Sequence, residues 1–143
     1  MSVPYLACMA AVAAFYGLPP RVLPAIQAAE GGRPGLIHPN ANGSADLGVM
    51  QVNTIWLDKL SRIAGMQPQT VQARLLADPC FNIAASGLIL RNYLDEAGGD
   101  LMTAVGWYHS HTPHFAAAYR LRVMQSARVL FHGEARSPVP SRR

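Results

Sequence analysis

Along most of this chain apolar positions recur every three or four residues, the spacing of helices that bury one side. Tyr5 to Tyr16 is almost uniformly apolar and stops at Gly17, which predicts a buried helix with a glycine end. Pro19-Pro20 opens a second helix, in which Val22, Leu23, Ile26 and Ala29 share one face. Pro24 is tolerated because it lies near the first turn, and Gly31-Gly32 end the helix directly behind Glu30. From Ile37 to Asn53 the helical period breaks. Asn42-Gly43 is a strong hairpin signal and β-capable residues resume after it, so a small hairpin or three-stranded sheet is expected here. Helical spacing returns from about Thr54 to Ala64, with Ile55, Trp56, Leu60 and Ile63 expected inward. A short helix over 70–76 follows. Asp78-Pro79 is a cap followed by a first-turn proline, and starts a long helix through Ile83, Leu88, Leu90 and Leu94 that stops at Gly98-Gly99. Asp100 caps the next helix, which ends near Tyr108. Thr112-Pro113 repeats the device and launches a last helix to about Phe131. The fold class is therefore α+β, mostly α-helical, with one small sheet after the second helix.

Composition narrows the picture. The 143 residues are half hydrophobic and 14% charged, which suits one domain with a single core. No run of apolar residues is long enough to span a bilayer, and the longest, Leu6 to Tyr16, has neither a basic flank before it nor a clear cleavage site after it. The net charge of +4 favours anionic partners. The arginines gather late, at Arg120, Arg122, Arg128, Arg136, Arg142 and Arg143, with few aromatics between them, so a nucleic-acid surface has no support. Residues 134–143 read as a flexible Pro/Ser/Arg tail, leaving a domain over 1–133. Cys8 and Cys80 are open to two readings, a pair of unrelated buried thiols or a bond closing a long loop.

Most acidic residues have plain explanations. Asp58, Asp95 and Glu96 fall on solvated helix faces, Asp78 and Asp100 are caps, and Glu134 is in the tail. Glu30 differs. It is open to two readings, an ordinary exposed glutamate before a glycine cap or an acid at a helix C-terminus, where the negative end of the dipole and any apolar shielding raise its pKa. Both effects hold a proton near neutral pH, as a general acid requires. Asp46 is open to two readings: it ends a turn and bonds nearby backbone amides, or it is a second carboxylate facing Glu30. The i, i+2, i+5 spacing of His109, His111 and His114 gathers them on no common face, so a metal site is not expected. No nucleotide loop or nucleophilic Ser or Cys motif appears, and no cofactor is expected.

Four segments carry a resemblance. Pro20 to Glu30 with Gly31-Gly32, then Asn42-Gly43-Ser44-Ala45-Asp46-Leu47-Gly48-Val49-Met50-Gln51-Val52-Asn53, Asp78-Pro79-Cys80-Phe81-Asn82-Ile83-Ala84, and Ala104-Val105-Gly106-Trp107-Tyr108-His109 stand in order over roughly residues 5–125. Together they resemble the lytic transglycosylase domain, and most closely the specialised subgroup that accompanies conjugation, type III and type IV secretion, and pilus systems. The resemblance implies a lysozyme-like fold with a hairpin lining the cleft, a Cys8–Cys80 disulfide, and a periplasmic setting. It implies that Glu30 is the single catalytic acid and that peptidoglycan glycan strands are the substrate, with components of an envelope-spanning machine as partners. Cleavage would form a 1,6-anhydro-N-acetylmuramic acid end. By the same resemblance Ser44 reaches the acetamido group, Gly48 lets a sugar approach the backbone, Met50 packs in the cleft, Gln51 hydrogen-bonds substrate and Tyr108 positions Glu30 or a substrate hydroxyl. Asn82 reads as structural, satisfying backbone groups near its helix start. Two departures stand out: Gly31 replaces the family's usual Ser after the acid, and Tyr108-His109 replaces its Tyr-Asn pair. The competing expectations are a muramidase on the same fold and a glycan-binding assembly factor without catalysis.

Overall fold

The computed structural model describes residues 3–136. Seven α-helices and three short strands follow in the order α1 (Leu6–Tyr16), α2 (Val22–Glu30), β1 (Ile37–Pro39), β2 (Ala45–Leu47), β3 (Val52–Asn53), α3 (Leu57–Ala64), α4 (Pro68–Ala77), α5 (Pro79–Glu96), α6 (Leu101–His109) and α7 (Pro113–Arg136). A 3₁₀ turn over Thr54–Trp56 joins β3 to α3. The element order and the α+β class match the sequence pattern, and the layout is lysozyme-like: helices packed around one core, with a small antiparallel sheet on one side.

Local chemistry sets the boundaries. Gly17 at φ 64° takes the αL conformation that ends α1. The Asp78 carboxylate accepts the Phe81 N–H at 3.1 Å, and Pro79 needs no hydrogen-bond partner in the first turn of α5. Asp100 caps α6 in the same way through the Thr103 N–H. In the sheet Ile37 pairs with Leu47, His38 with Asp46 and Pro39 with Ala45, while Asp46 also faces Asn53 of β3. Asn42-Gly43 lies within a longer loop, closed where the Asn40 N–H reaches the Ser44 carbonyl at 2.8 Å.

α5 runs through the middle of the molecule and buries Ile83, Ile89, Leu90 and Leu94. α1 lies along it, and α7 packs against α2 and α6. Cys8 of α1 and Cys80 at the start of α5 form a disulfide with a Cα–Cα distance of 5.6 Å.

Three expectations are corrected. Ile55 and Ile63 are 69% and 57% exposed rather than inward. The region begins as a tighter 3₁₀ turn, which changes the phase of the faces, and Leu60 is the one fully buried residue of α3. The last helix also runs past its expected end near Phe131, since α7 continues to Arg136 after a non-helical residue at Phe131. Residues 137–143 of the expected tail lie outside the described residues.

Asn82 fastens the sheet side to the helices. It is fully buried, its Oδ1 accepts the Met50 N–H, and its Nδ2 donates to the Leu47 and Leu75 carbonyls, all at 2.8 Å. Two glycines make this junction possible. At Gly32 an added Cβ would stand 2.3 Å from the Gly48 carbonyl oxygen, so the chain behind Glu30 rests directly on the 48–49 backbone. Gly48 sits at φ +73°, and a Cβ there would be 2.3 Å from the Leu75 carbonyl oxygen.

Candidate active site

Glu30 is the last residue of α2, whose end is fixed by Gly31 at φ 65° donating its N–H to the Gln27 carbonyl at 2.9 Å. The helix thereby delivers the carboxyl group, half-buried, to the floor of a cleft of about 580 Å³. The facing wall is the sheet, with His38, Ser44, Asp46 and Gln51, while α6 and α7 contribute Tyr108, His109 and Arg122. The pKa of Glu30 is raised from 4.5 to about 6, chiefly by burial with a smaller push from the nearby Asp46 charge. A hydrogen bond from Tyr119, the Arg122 charge and His38 work in the opposite direction. A carboxyl poised near 6 can be protonated before a reaction step and ionised after it.

The Tyr119 hydroxyl donates to Glu30 Oε2 at 2.6 Å. Tyr119 is 1% exposed, so the donor comes from a fixed core position on α7. The Arg122 guanidinium lies 5.5 Å from the Tyr119 ring centroid and donates to the Ala29 carbonyl at 2.9 Å. Tyr119, Arg122 and His38 were not picked out from the sequence. Tyr119 lies 89 positions from Glu30, and only the packing of α7 on α2 brings them together.

The residues singled out from sequence divide into two sets. Ser44, Gln51 and Tyr108 line the cleft with Glu30. The Ser44 hydroxyl donates to Asn42 Oδ1 at 2.6 Å and accepts from the Asn40 and Asn53 side-chain amides. Gln51 has φ 53°, rare for a residue with a side chain, and its Nε2 returns to the Gly48 carbonyl at 3.0 Å. Gly48 and Met50 do not line the cleft. The space beside Gly48 is needed by Leu75 and Asn82, and the Met50 side chain is fully buried in the core. Met50 meets the site through its carbonyl, which accepts the Tyr108 hydroxyl at 2.9 Å. Tyr108 thus braces the hairpin end.

Asp46 does not end a turn. It stands within β2, lines the cleft, and accepts a hydrogen bond at 2.9 Å from the Asn53 side-chain amide. The histidines at 109, 111 and 114 have separate neighbours. His109 stacks on Tyr119, His111 stacks on Trp107 and reaches Glu96 at 3.2 Å, and His114 lies against Phe115. Among the described residues no group of three His, Cys, Asp or Glu side chains is placed to hold a metal ion.

Residues 7–125 match the family model of the Transglycosylase SLT domain. The chain belongs to the transglycosylase SLT family. It is also similar to Invasion protein IagB from two strains of Salmonella typhimurium and from Salmonella typhi, with 34% identity over 80 residues, covering 56% of this chain and 46% of each relative. The aligned region thus spans about half the length of those relatives. Gly31 occupies a site with no neighbouring atom within 4 Å of an added Cβ, so its glycine serves the αL end of α2 and does not relieve crowding.

Proposed function

We propose that this protein is a peptidoglycan lytic transglycosylase. The observation that carries the reading is Glu30, shielded at the cleft floor with its pKa near 6 and its Oε2 held by Tyr119. In the first step Glu30 gives its proton to the oxygen of the β-1,4 bond between N-acetylmuramic acid and N-acetylglucosamine as the C1–O bond breaks. The 2-acetamido group of the muramic sugar stabilises the cationic centre. In the second step the Glu30 carboxylate takes the proton of the C6 hydroxyl, whose oxygen bonds to C1 and closes the 1,6-anhydro ring. Glu30 ends protonated, ready for another cycle. The attacking hydroxyl is tethered to the reacting sugar, so its effective concentration replaces that of a bound water. Ser44 and Gln51 offer polar contacts to the substrate from the hairpin wall, and Tyr108 orders that wall through Met50.

The disulfide supports an oxidising, periplasmic setting, and the net charge of +4 suits a polymer with anionic peptide stems. Similarity to proteins named for invasion supports a role in opening the wall locally for a secretion, conjugation or pilus machine.

One observation favours a second reading. Asp46 shares the cleft with Glu30, as the second carboxylate of a hydrolase would, so a muramidase is the alternative. The test of the acid is Glu30→Gln on purified sacculi. The variant keeps its fold and loses release of soluble fragments. Undiminished release removes Glu30 from the role, and binding to sacculi without release by the native protein marks a non-catalytic wall-binding factor.

A further inference from the structure

We propose that His109 is a positioning residue, whose flat ring clamps the Tyr119 phenol so that its hydroxyl stays aimed at Glu30. The inference rests on Glu30 being the acid of the proposed reaction. The His109 and Tyr119 rings are 4.9 Å apart and within 9° of parallel. Offset stacking of this kind adds to simple burial in holding a ring's orientation. Arg122 touches the same phenol and anchors itself on the carbonyl of Ala29, the residue next to Glu30. The Tyr119 ring is therefore held by His109 at close range and Tyr108 at 6.5 Å, both from α6, and by Arg122 from α7, while its hydroxyl meets α2. His109 is itself exposed at the cleft edge, so its removal hollows no core.

The charged and titratable groups around Glu30 are Arg122 from α7, Asp46 from β2, His38 from β1 and the phenols of Tyr108 and Tyr119. Arg122 and Asp46 also face His109. A donated hydrogen bond favours the ionised carboxylate, so loosening Tyr119 raises the pKa of Glu30.

The experiment is a carbon-13 NMR titration of the glutamate carboxyls in the full chain, with Glu30 assigned from the Glu30→Gln spectrum. His109→Ala moves the Glu30 midpoint upward by about half to one pH unit, the scale of one weakened charge-assisted hydrogen bond. His109→Phe, which keeps a flat ring without a titrating group, returns the midpoint to the native value. Tyr119→Phe raises the midpoint, and adding His109→Ala to it produces no further shift. On sacculi His109→Ala lowers kcat with little change in KM. A midpoint unmoved by His109→Ala, one that stays raised in His109→Phe, or an equal shift in the Tyr119→Phe background overturns the clamp. Failure of the native protein to cleave sacculi would overturn the function proposed above, while the titration still decides the clamp.

Discussion

Replacing Asn82 by Ala removes the side chain that joins the hairpin end to α4 and α5. Three buried backbone groups then lose their partner: the Met50 N–H and the Leu47 and Leu75 carbonyls. An unsatisfied buried group costs about 1–3 kcal/mol, and a water entering the small space left behind offsets part of the total. The net loss is about 3–5 kcal/mol. For a domain of this size each kcal/mol lowers the melting temperature by roughly 2–4 °C, so the expected drop is on the order of 10–15 °C. Circular dichroism melts at neutral pH measure it. Asn82→Asp sharpens the test, because it keeps the acceptor for the Met50 N–H and replaces the donor facing two carbonyls. Ionised, that carboxylate is repelled by both, so its folded-state pKa lies above the unfolded value of about 3.9. A raised acid pKa gives stability that is present below the unfolded value and lost as pH rises. Relative to the native protein, Asn82→Asp is therefore less destabilised near pH 4 than near pH 7. A melting temperature within about 3 °C of native for Asn82→Ala, or an Asp variant whose deficit ignores pH, would refute the reasoning.

Glu30 links stability to activity through pH. Its folded pKa of about 6 exceeds 4.5, so the stability it confers is full below pH 4.5 and is lost as pH rises through 6, amounting to about 2 kcal/mol at neutral pH. Glu30→Gln should melt higher than native at pH 7 while losing wall lysis by about 10²-fold or more, and native lysis should fall as pH rises through 6. Replacing Cys8 and Cys80 by Ser removes a cross-link closing a loop of 72 residues, a loss of about 4 kcal/mol measurable by chemical denaturation. Gly32→Ala forces a Cβ against the Gly48 carbonyl and should both destabilise the fold and depress lysis. Gly31→Ser meets no atom and bears only the strain of a positive φ, about 1 kcal/mol, in the same melts.

Much of the fold was legible because helix ends here are written in local chemistry. Asp78-Pro79, Asp100, Gly17 and Gly31 each act through groups a few residues away, and the boundaries they mark are found in place. Glu30 was legible for the same reason, since its burial follows from its place at the end of an apolar helix. Tyr119 and Arg122 were not. Both lie on α7, and a helical pattern tells which side is buried without telling which distant helix it meets. Gly48 and Met50 lie on the right segment but turn inward to Asn82, while Ser44, Asp46 and Gln51 of the same run line the cleft. Ile55 and Ile63 misled because the first turn is 3₁₀, a change of pitch that the apolar spacing does not encode.

The chemistry that divides the two readings lies in the product. Purified protein incubated with peptidoglycan sacculi releases fragments whose ends can be identified by mass spectrometry. Fragments ending in 1,6-anhydro-N-acetylmuramic acid are the result this account predicts, with Glu30 as both acid and base. Fragments ending in reducing N-acetylmuramic acid would contradict it, and would make Asp46 the partner of Glu30 in a hydrolase.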